Sequence, residues 1–564
     1  MAEIIIMPKL GFNMDEGQLV KWHRRVGETV KKGEVLFEIN TDKTTMPVEA
    51  TADGTVLQLM LEEGAFAEVF TPIAVIGAPG EDPNAVLNGP ATPQAAPAAP
   101  AEPAGYDYDV VVIGAGPGGY ETAIKAAQCG KKTCIIEGAG FGGTCLNVGC
   151  IPTKALIQTA DVYHKVKDAA RFAVTGVEAD KIAVDMAALQ ARKKAVVKTL
   201  VNGVKGLLRG NKVTVVEGMA SFADAHTLSV DGRSITGANI IIATGSSVFM
   251  PPFLALEGEN HLLTSTEALD LDQVPASVTV IGGGVIGVEF AYLLNRLGSK
   301  VTVLELMDHI LPMVDIEVSR LAEKRMTKDG ILFRLGAKVS RVKDDTVYYE
   351  FGGQECQVKS DMVLMAVGRV PNTQGLNAEG IGIEFDRKAI RTDAHMRTNI
   401  PHIYAIGDVN GKVMLAHTAS HEGMVAVADI CGQGEEMRYD RIPSCVYLEP
   451  EIACIGLTEA QAREKYGDGL KIGRFNMAAN GKSLIAGDTD GLFKVIVAAD
   501  TGEILGAHLY GQHVTDMIGE ISAAMAAEGT AEELIHAIHP HPTVNEALGE
   551  AFMAAWNGRA INSL

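Results

Sequence analysis

Two stretches of the chain share one pattern of apolar and polar positions. Residues 106–137 have the sequence YDYDVVVIGAGPGGYETAIKAAQCGKKTCIIE, and residues 277–305 have the sequence SVTVIGGGVIGVEFAYLLNRLGSKVTVLE. Each begins with a β-branched apolar run, passes through a glycine-rich turn into a helix-forming segment, and ends in a second apolar run. Short apolar runs that alternate with helices are typical of buried parallel strands. The pattern therefore predicts two strand-helix-strand units.

The turns of both units carry the motif G-x-G-x-x-G, and the units end in Glu137 and Glu305, each the same number of residues past the last glycine. Such glycines let the backbone approach a pyrophosphate at a helix N-terminus, and the carboxylate accepts hydrogen bonds from ribose hydroxyls. A lone glycine motif is weak evidence, but here strand, helix and acid accompany it twice. Two bound dinucleotides are predicted, on Gly114, Gly116 and Gly119 in the first unit and Gly282, Gly284 and Gly287 in the second.

The start of the chain contains an internal repeat, because residues 16–28 align with 53–65 and residues 27–39 align with 64–76. Short apolar stretches bounded by glycine predict two similar β-sheets that face each other as a flattened barrel. The two halves join at INTDKTTM, which places Lys43 at a hairpin tip. A lysine at an exposed turn is usually only a solvated charge.

Composition narrows the class of protein. Residues 78–105 are rich in alanine and proline without periodicity, which predicts a mobile, semi-extended tether. With 70 acidic and 49 basic residues among 564, the net charge of −21 disfavours a nucleic-acid groove. No uncharged apolar run is long enough to span a membrane, and the start lacks the basic region of a signal peptide. A cytoplasmic protein is expected, whose eight cysteines do not form a disulfide scaffold.

Cys145 and Cys150 stand in GGTCLNVGC, directly before the helix-like IPTKAL. In an undistorted helix a five-residue offset leaves the two Cα atoms about 8.6 Å apart. A disulfide needs less than about 7 Å between these atoms. Either the pair never bonds, or the first turn of the helix is bent to let it. A bonded pair in a reducing cytoplasm is catalytic or redox-sensing.

The neighbours of each unit predict which dinucleotide it binds. The cysteine pair directly follows the first unit, which favours a flavin there, since a flavin exchanges electrons with sulfur. ANIIIATGSS, with Thr244 and Gly245, resembles the strand and turn that close a flavin domain, and IPHIYAIGDV resembles the flavoprotein segment whose aspartate, here Asp408, binds the ribityl chain. The second unit is predicted to bind NAD rather than NADP, because Glu305 disfavours a 2′-phosphate and the following LMDHILPM offers no arginine.

Two family resemblances follow from these motifs. The repeat, the Thr-Asp-Lys tip and the tether resemble a lipoyl domain over residues 1–77, which implies that Lys43 carries a covalent lipoyl group. From Tyr106 to Leu564 the chain resembles the pyridine nucleotide-disulfide oxidoreductases, and among them the dihydrolipoyl dehydrogenases, on GGTCLNVGCIPTK above all. That resemblance implies a redox-active disulfide in which Cys145 exchanges with substrate and Cys150 faces the ring of FAD.

The same resemblance implies four further catalytic residues. Lys154, at helical spacing from Cys150, is expected near the flavin and paired with Glu289. In IHPHPTVNE, His541 matches the family acid/base and Glu546 the carboxylate that orients it. An imidazole held by a carboxylate is a suitable base near neutral pH. His539 is expected to be structural, and a single His-x-His gives too little support for a metal site.

The predicted architecture is α/β, with two Rossmann-like dinucleotide-binding domains and an α+β C-terminal dimerisation domain, preceded by a small all-β flattened-barrel lipoyl domain. The expected boundaries are 1–77 for the lipoyl domain, 78–105 for the linker, 106–253 for the FAD-binding domain, 254–383 for the NAD-binding domain, 384–440 for a central domain that completes the FAD site, and 441–564 for the interface domain.

The implied function is flavin-dependent oxidation of protein-bound dihydrolipoyl groups with reduction of NAD⁺. The expected context is a 2-oxo acid dehydrogenase or related multienzyme complex, with a homodimer and a lipoyl-bearing acyltransferase as partners, and with no nucleic acid or membrane. There are three alternatives. A glutathione-reductase-like enzyme needs arginines after the second unit, and a mercuric-reductase-like enzyme needs terminal cysteine motifs that this chain lacks. A non-catalytic lipoyl carrier would not need the cysteine, histidine and glutamate set.

Two features depart from the family pattern. Leu448 replaces the usual threonine after Tyr447. The remaining cysteines match no redox motif and are expected to pack as small apolar side chains; they are Cys129, Cys134, Cys356, Cys431, Cys445 and Cys454.

Overall fold

The computed structural model describes residues 3–7, 16–40, 45–50, 52–68, 71–79, 81, 105–252, 254–258 and 262–562. The chain divides into two compact units, Met1–Pro103 and Ala104–Leu564. Lys43 lies outside the described residues. No described helix is long and apolar enough to cross a membrane.

The first unit consists of short strands in two sheets. Its strands are β1 Glu3–Ile6, β2 Glu16–Trp22, β3 Thr29–Val30, β4 Val35–Asn40, β5 Thr45–Glu49, β6 Gly54–Leu59, β7 Phe66–Glu68 and β8 Pro72–Gly77. One sheet has the order β1-β8-β6-β3, and the other has the order β5-β4-β2-β7. Alternate apolar residues such as Leu19, Phe37 and Ile73 are fully buried in one core. The flattened barrel that the repeat predicts therefore takes the form of two four-stranded sheets.

The first dinucleotide region is built on a largely parallel sheet. Its strands are β9 Tyr108–Ile113, β10 Thr133–Glu137, β11 Thr214–Glu217, β12 Ala220–Phe222, β13 Thr227–Val230, β14 Arg233–Ile242 and β15 Ser246–Val248. Its helices are α1 Pro117–Gln128, α2 Gly143–Val148, α3 Cys150–Lys167 and α4 Met186–Gly210. The sheet order is β11-β10-β9-β14-β13-β12. The predicted strand-helix-strand unit is β9, α1 and β10, with β9 and β10 parallel.

The second dinucleotide region repeats this plan. Its elements are β16 Ala255–Glu257, β17 Leu262–Thr264, β18 Ser277–Ile281, α5 Val285–Leu297, β19 Lys300–Glu305, α6 Ile316–Lys328, β20 Leu332–Leu335, β21 Lys338–Lys343, β22 Thr346–Phe351, β23 Gln354–Lys359, β24 Met362–Met365 and β25 Arg369–Pro371. The parallel sheet has the order β17-β24-β18-β19-β20. Strands β18 and β19 are almost fully buried, which explains their continuous apolar sequences.

The chain then returns to the first sheet before it forms the last region. The returning elements are β26 Phe385–Asp386, β27 Ala389–Ile390, β28 Ile403–Ala405 and α7 Ala416–Ile430, and β28 pairs in parallel with β14. The last region comprises β29 Ser444–Val446, β30 Glu451–Gly456, α8 Glu459–Tyr466, β31 Leu470–Asn476, α9 Gly481–Ala486, β32 Leu492–Ala498, β33 Ile504–Gly511, α10 Val514–Ala526, α11 Ala531–His536 and α12 Glu546–Trp556. Its sheet, β29-β30-β33-β32-β31, is antiparallel. The α/β, α+β and all-β parts of the predicted fold class are confirmed.

Candidate active site

One cavity of ≈ 2480 Å³ in the second unit brings the two glycine turns together. A ligand pocket usually measures about 300–1,000 Å³, so this cavity has room for two large ligands. The sequence-predicted residues that line it are Gly114, Gly116, Gly119, Glu137, Cys145, Cys150, Lys154, Thr244, Gly245, Gly282, Gly284, Glu289, Glu305 and Asp408.

In the first glycine turn the three glycines serve different purposes. Gly114 has φ +102°, and a Cβ atom there would lie 2.4 Å from the carbonyl oxygen of Ala243. A Cβ atom at Gly119 would lie 1.8 Å from the carbonyl oxygen of Gly114, so this glycine lets α1 pack against the turn. At Gly116 the nearest atom would be 3.9 Å away, which leaves open space on the cavity side. The turn therefore fits a pyrophosphate held against the start of α1.

The second turn has the same division of roles. A Cβ atom at Gly282 would lie 2.4 Å from the carbonyl oxygen of Ala366. A Cβ atom at Gly287 would lie 2.0 Å from the carbonyl oxygen of Gly282, and Gly287 does not line the cavity. Nothing lies within 4 Å of a Cβ atom at Gly284. In both turns the first and third glycines are required by close backbone contacts, and the second leaves open space where a dinucleotide pyrophosphate would bind.

The two predicted ribose-binding carboxylates end the second strand of each unit. Glu137 Oε2 accepts a hydrogen bond from the Ala115 N–H at 2.6 Å, and Oε1 accepts from Gly140 at 2.8 Å. Glu305, which is 9% exposed, accepts from the N–H groups of Gly283 at 2.5 Å and Met307 at 2.7 Å. These bonds fix each carboxylate beside its glycine turn. Glu137 Oε1 also accepts from the Ala139 N–H at 2.6 Å, so a further lone pair for a ribose hydroxyl remains on Glu137 Oε2 and on both Glu305 oxygens.

The helix that carries the cysteine pair is interrupted between the two cysteines. Helix α2 ends before Gly149 and α3 begins at Cys150, with Gly149 at φ −144° and ψ −113°. A Cβ atom at Gly149 would lie 2.9 Å from the carbonyl oxygen of Thr144, so glycine suits this break. The helix is thus interrupted between the two cysteines, and the bond between them stays a prediction. Both cysteines are free thiols at the cavity wall.

The two thiols have opposite acidities. A hydrogen bond from Cys145 and the charge of Lys154 outweigh burial and lower the pKa of Cys150 to about 7. The same hydrogen bond, together with burial, raises the pKa of Cys145 well above its usual value. Cys150 is therefore the thiolate of the pair near neutral pH.

Lys154 and Glu289 connect the two dinucleotide regions. Lys154 Nζ donates to Glu289 Oε1 at 2.9 Å and to Oε2 at 2.7 Å, and the Glu289 side chain is 4% exposed. The backbone N–H of Tyr447 donates to Glu289 Oε1 at 3.0 Å, and Lys154 Nζ lies 4.6 Å from the centre of the Tyr447 ring. Leu448, the departure from the family pattern, is buried in the adjacent core.

Asp408 is held by residues that sequence reasoning missed. The Ser246 hydroxyl donates to Asp408. Arg369 donates from Nε to Ser246 Oγ at 2.7 Å and from Nη2 to the Ser246 carbonyl oxygen at 2.6 Å. The available signal was that AVGRV, after β24, resembles ATGSS, after β14; the two segments pair as strands β15 and β25.

A second missed residue is Glu422 on α7, which is fully buried. Its carboxylate accepts hydrogen bonds from the Gly407 N–H at 2.5 Å, Asn410 Nδ2 at 2.9 Å and the Tyr439 hydroxyl at 2.6 Å. These contacts fix the turn that presents Asp408 to the cavity.

The predicted acid/base pair lies away from the cysteines. His541 Nδ1 is 2.9 Å from Glu546 Oε1, and the imidazole is 79% exposed. Burial favours a higher pKa for Glu546, but hydrogen bonds from the Thr543 N–H and from His541 outweigh it and lower that pKa. Among the described residues, neither His541 nor Glu546 lines the cavity of this chain. His539 is nearly buried and lies 3.0 Å from Glu520.

Comparison with known proteins decides the family. A family model described as "Pyridine nucleotide-disulphide oxidoreductase" matches residues 108–423, and its dimerisation-domain model matches residues 442–552. The chain belongs to the pyridine nucleotide-disulphide oxidoreductase family. A model described as "Biotin-requiring enzyme", of the biotin/lipoyl type, matches residues 3–76.

Similar members of the family are named dihydrolipoyl dehydrogenase. One from Bacillus subtilis is 42% identical over 451 residues, which cover 79% of this chain and 98% of that protein. The mitochondrial protein of Schizosaccharomyces pombe is 41% identical over 81% of this chain and 91% of its own length. A solved structure of the HOCl-induced flavoprotein disulfide reductase RclA from Escherichia coli is 30% identical, with a TM-score of 0.70 over 79% of this chain and 99% of that one. The predicted family is confirmed.

Proposed function

We propose that the protein is a dihydrolipoyl dehydrogenase, which oxidises protein-bound dihydrolipoyl groups and reduces NAD⁺. The observation that carries the proposal is a cavity in which Cys145 and Cys150 lie beside two glycine turns of matching geometry. The similarity to proteins of that name over most of their length supports the same activity.

The residues at the cavity wall suit both cofactors. FAD would be held by the first glycine turn together with Glu137, Thr244, Gly245, Asp408 and Lys154. NAD would be held by the second turn and Glu305. Bound FAD would accept an electron pair from the cysteine dithiol and supply it to NAD⁺ as hydride. Glu305 would also disfavour the 2′-phosphate of NADP, since it is a buried anion next to the second turn.

The chain's own residues perform thiol-disulfide exchange on the substrate. His541 takes a proton from one substrate thiol, and the resulting thiolate attacks Cys145 of the Cys145-Cys150 disulfide. The bond between the two cysteines breaks, and Cys150 leaves as a thiolate that the charge of Lys154 stabilises. The second substrate thiol attacks the substrate sulfur bonded to Cys145, and its proton passes to the Cys145 sulfur as that sulfur leaves. This step releases the cyclic lipoyl disulfide and leaves the enzyme dithiol, with Glu546 holding His541 in orientation.

We propose further that the active enzyme is a homodimer with shared sites. The His541 loop is exposed and belongs to the region that matches a dimerisation domain. Its position outside the cavity is explained if a two-fold axis brings this loop to the cysteines of the other subunit. Within the second unit we retain the boundaries 106–253, 254–383, 384–440 and 441–564 as a proposal.

The first unit is proposed to carry a lipoyl group on Lys43 and to serve a cytoplasmic 2-oxo acid dehydrogenase or related complex, with a lipoyl-bearing acyltransferase as partner. The match to a biotin/lipoyl model and the Ala/Pro-rich composition of residues 78–105 support a tethered covalent carrier. Intact-mass analysis tests this assignment. A lipoyl mass that disappears in Lys43→Arg supports it, whereas a biotin mass, or an unmodified Lys43 after growth with lipoate, contradicts it.

The activity is tested by NADH formation from dihydrolipoamide and NAD⁺ with the FAD-loaded protein. We expect turnover that Cys145→Ser abolishes. Turnover of glutathione disulfide with NADPH at a higher kcat/KM would instead support a glutathione-reductase-like enzyme.

A further inference from the structure

A second pair of cysteines lies outside the catalytic cavity. Cys129 is exposed, and Cys431 is half-buried. Neither residue lines the cavity, and the two are 302 positions apart in the sequence. The expectation that both serve only as packing residues does not fit the exposure of Cys129.

Each of the two cysteines lies directly after the last residue of a helix, and the backbone at the two helix ends is alike. Cys129 follows α1 and Cys431 follows α7, in the sequences QCGK and ICGQ. The backbone hydrogen bonds at the two helix ends correspond one to one. Each cysteine N–H donates to the carbonyl oxygen four residues earlier in the chain. The N–H of the next glycine donates to the carbonyl three residues earlier, and the N–H of the residue after it donates to the carbonyl five residues earlier. Both glycines, Gly130 and Gly432, have the left-handed conformation, with φ +80° and +76°. The backbone at Cys129 and the backbone at Cys431 therefore have equivalent conformations, and the two Cβ atoms leave them in equivalent directions.

The helices also run in parallel at very short distance. A Cβ atom at Gly118 on α1 would lie 3.0 Å from the Cβ of Ala419 on α7, and one at Gly423 would lie 1.7 Å from Thr122 Oγ1. Both contacts pair residues 301 positions apart, so the helices run in the same direction in constant register. With a rise of about 1.5 Å per residue, this register brings the two C-terminal ends to nearly the same level.

The thiols interact directly as a result. Burial raises the pKa of Cys431, and the neighbouring Cys129 thiol raises it further through charge and a hydrogen bond. Lys131 and Lys125 act in the opposite direction. The pair thus combines an exposed thiol, which reaches solvent reagents, with a shielded thiol in contact with it.

We propose that Cys129 and Cys431 form a second, reversible disulfide by exchange with a low-molecular-weight disulfide such as oxidised glutathione. The exposed Cys129 thiolate attacks one sulfur of the oxidant, which forms a mixed disulfide and releases one thiolate. The Cys431 thiolate then attacks the sulfur of Cys129 and releases the second. Two protons leave the cysteines, and the electron pair is taken up by the oxidant, which becomes two thiols.

The crosslink would join two helices whose opposite ends form part of the cavity wall. Pro117 and Gly118 at the start of α1, and Ala416 and His417 at the start of α7, line the cavity. A disulfide at the other ends closes a long loop, which constrains the unfolded chain and stabilises the folded protein. The catalytic disulfide is not involved in this step.

The test uses full-length protein that is reduced, freed of reductant, and incubated with oxidised glutathione. After blocking of free thiols and tryptic digestion without reduction, we expect residues 126–131 linked to residues 413–438. Residues 133–154 provide an internal control for oxidation, because they contain both Cys145 and Cys150. Cys129→Ser and Cys431→Ser should lack the link, and Cys431→Ser should accumulate glutathione on Cys129. Cys356→Ser, a cysteine outside both pairs, should retain the link.

A wild-type sample with an oxidised Cys145-Cys150 pair but no linked peptide would overturn the proposal. Glutathione that stays bound to Cys129 in the wild-type protein would also overturn the proposal. Thermal unfolding gives an independent check, since oxidation should raise the melting temperature of the wild type more than that of Cys129→Ser. Equal shifts in the two proteins would contradict the crosslink.

Discussion

Lys154 and Glu289 form a bidentate ion pair, with Nζ to oxygen distances of 2.9 and 2.7 Å, although they stand 135 residues apart. Lys154 lies one turn past Cys150 on α3, and Glu289 lies on α5, just after the second glycine turn. One contact therefore positions the thiolate-stabilising cation and joins the two halves of the cavity.

Loss of this cation should change the acidity of Cys150. The hydrogen bond from Cys145 and the charge of Lys154 place the pKa of Cys150 at about 7. In Lys154→Met the thiolate is less favoured, so its titration should move to higher pH. Ultraviolet thiolate absorbance of the reduced protein, with Cys150→Ser subtracted, measures the midpoint. Lys165→Met, on the exposed side of the same helix, should leave it in place; an unchanged midpoint in Lys154→Met would refute the electrostatic role.

Glu422→Ala should destabilise the second unit. The substitution leaves the Gly407 N–H, Asn410 and Tyr439 without their buried acceptor, at a cost of about 3 kcal/mol. We expect a lower melting temperature and faster loss of FAD on desalting, because Asp408 follows Gly407 directly. Glu435→Ala removes an exposed carboxylate after the same helix and serves as the control. Equal stability of the two variants would contradict the positioning role of Glu422.

Glu305 should set the choice of nicotinamide cofactor. Wild-type protein is expected to prefer NAD⁺ over NADP⁺ in kcat/KM, since both Glu305 oxygens are fixed beside the second turn. Glu305→Ala should narrow this preference at least tenfold, or about 1.4 kcal/mol. A wild-type preference for NADP⁺ would be incompatible with this assignment, as would an unchanged ratio in the variant.

The shared dimer site is tested by mixing two inactive chains, Cys145→Ser and His541→Gln. In a symmetric dimer each heterodimer has one intact site, so random pairing should restore about a quarter of normal activity. Co-expression followed by separation through two affinity tags isolates the heterodimer. A heterodimer without activity, or near-normal turnover by His541→Gln alone, would exclude the shared site.

Local sequence patterns were sufficient for the two strand-helix-strand units, and they limited the cysteine pair to two alternatives, no bond or a bent first turn. The glycine turns and the CxxxxC spacing are constraints within a few residues, where helix geometry and steric limits act directly. Arg369 and Ser246 could not be predicted in this way, because they meet only after segments 123 residues apart pair as strands. The contact of Cys129 with Cys431 likewise depends on the packing register of two distant helices.

The direct test of the account is anaerobic reduction of the FAD-loaded protein with one equivalent of dihydrolipoamide, followed by its visible spectrum. If Cys150 is the thiolate beside the flavin, a long-wavelength thiolate-to-flavin absorption band should appear in the wild type and be absent from Cys150→Ser. A band that persists in Cys150→Ser, or protein that cannot take up FAD, would contradict the central claim.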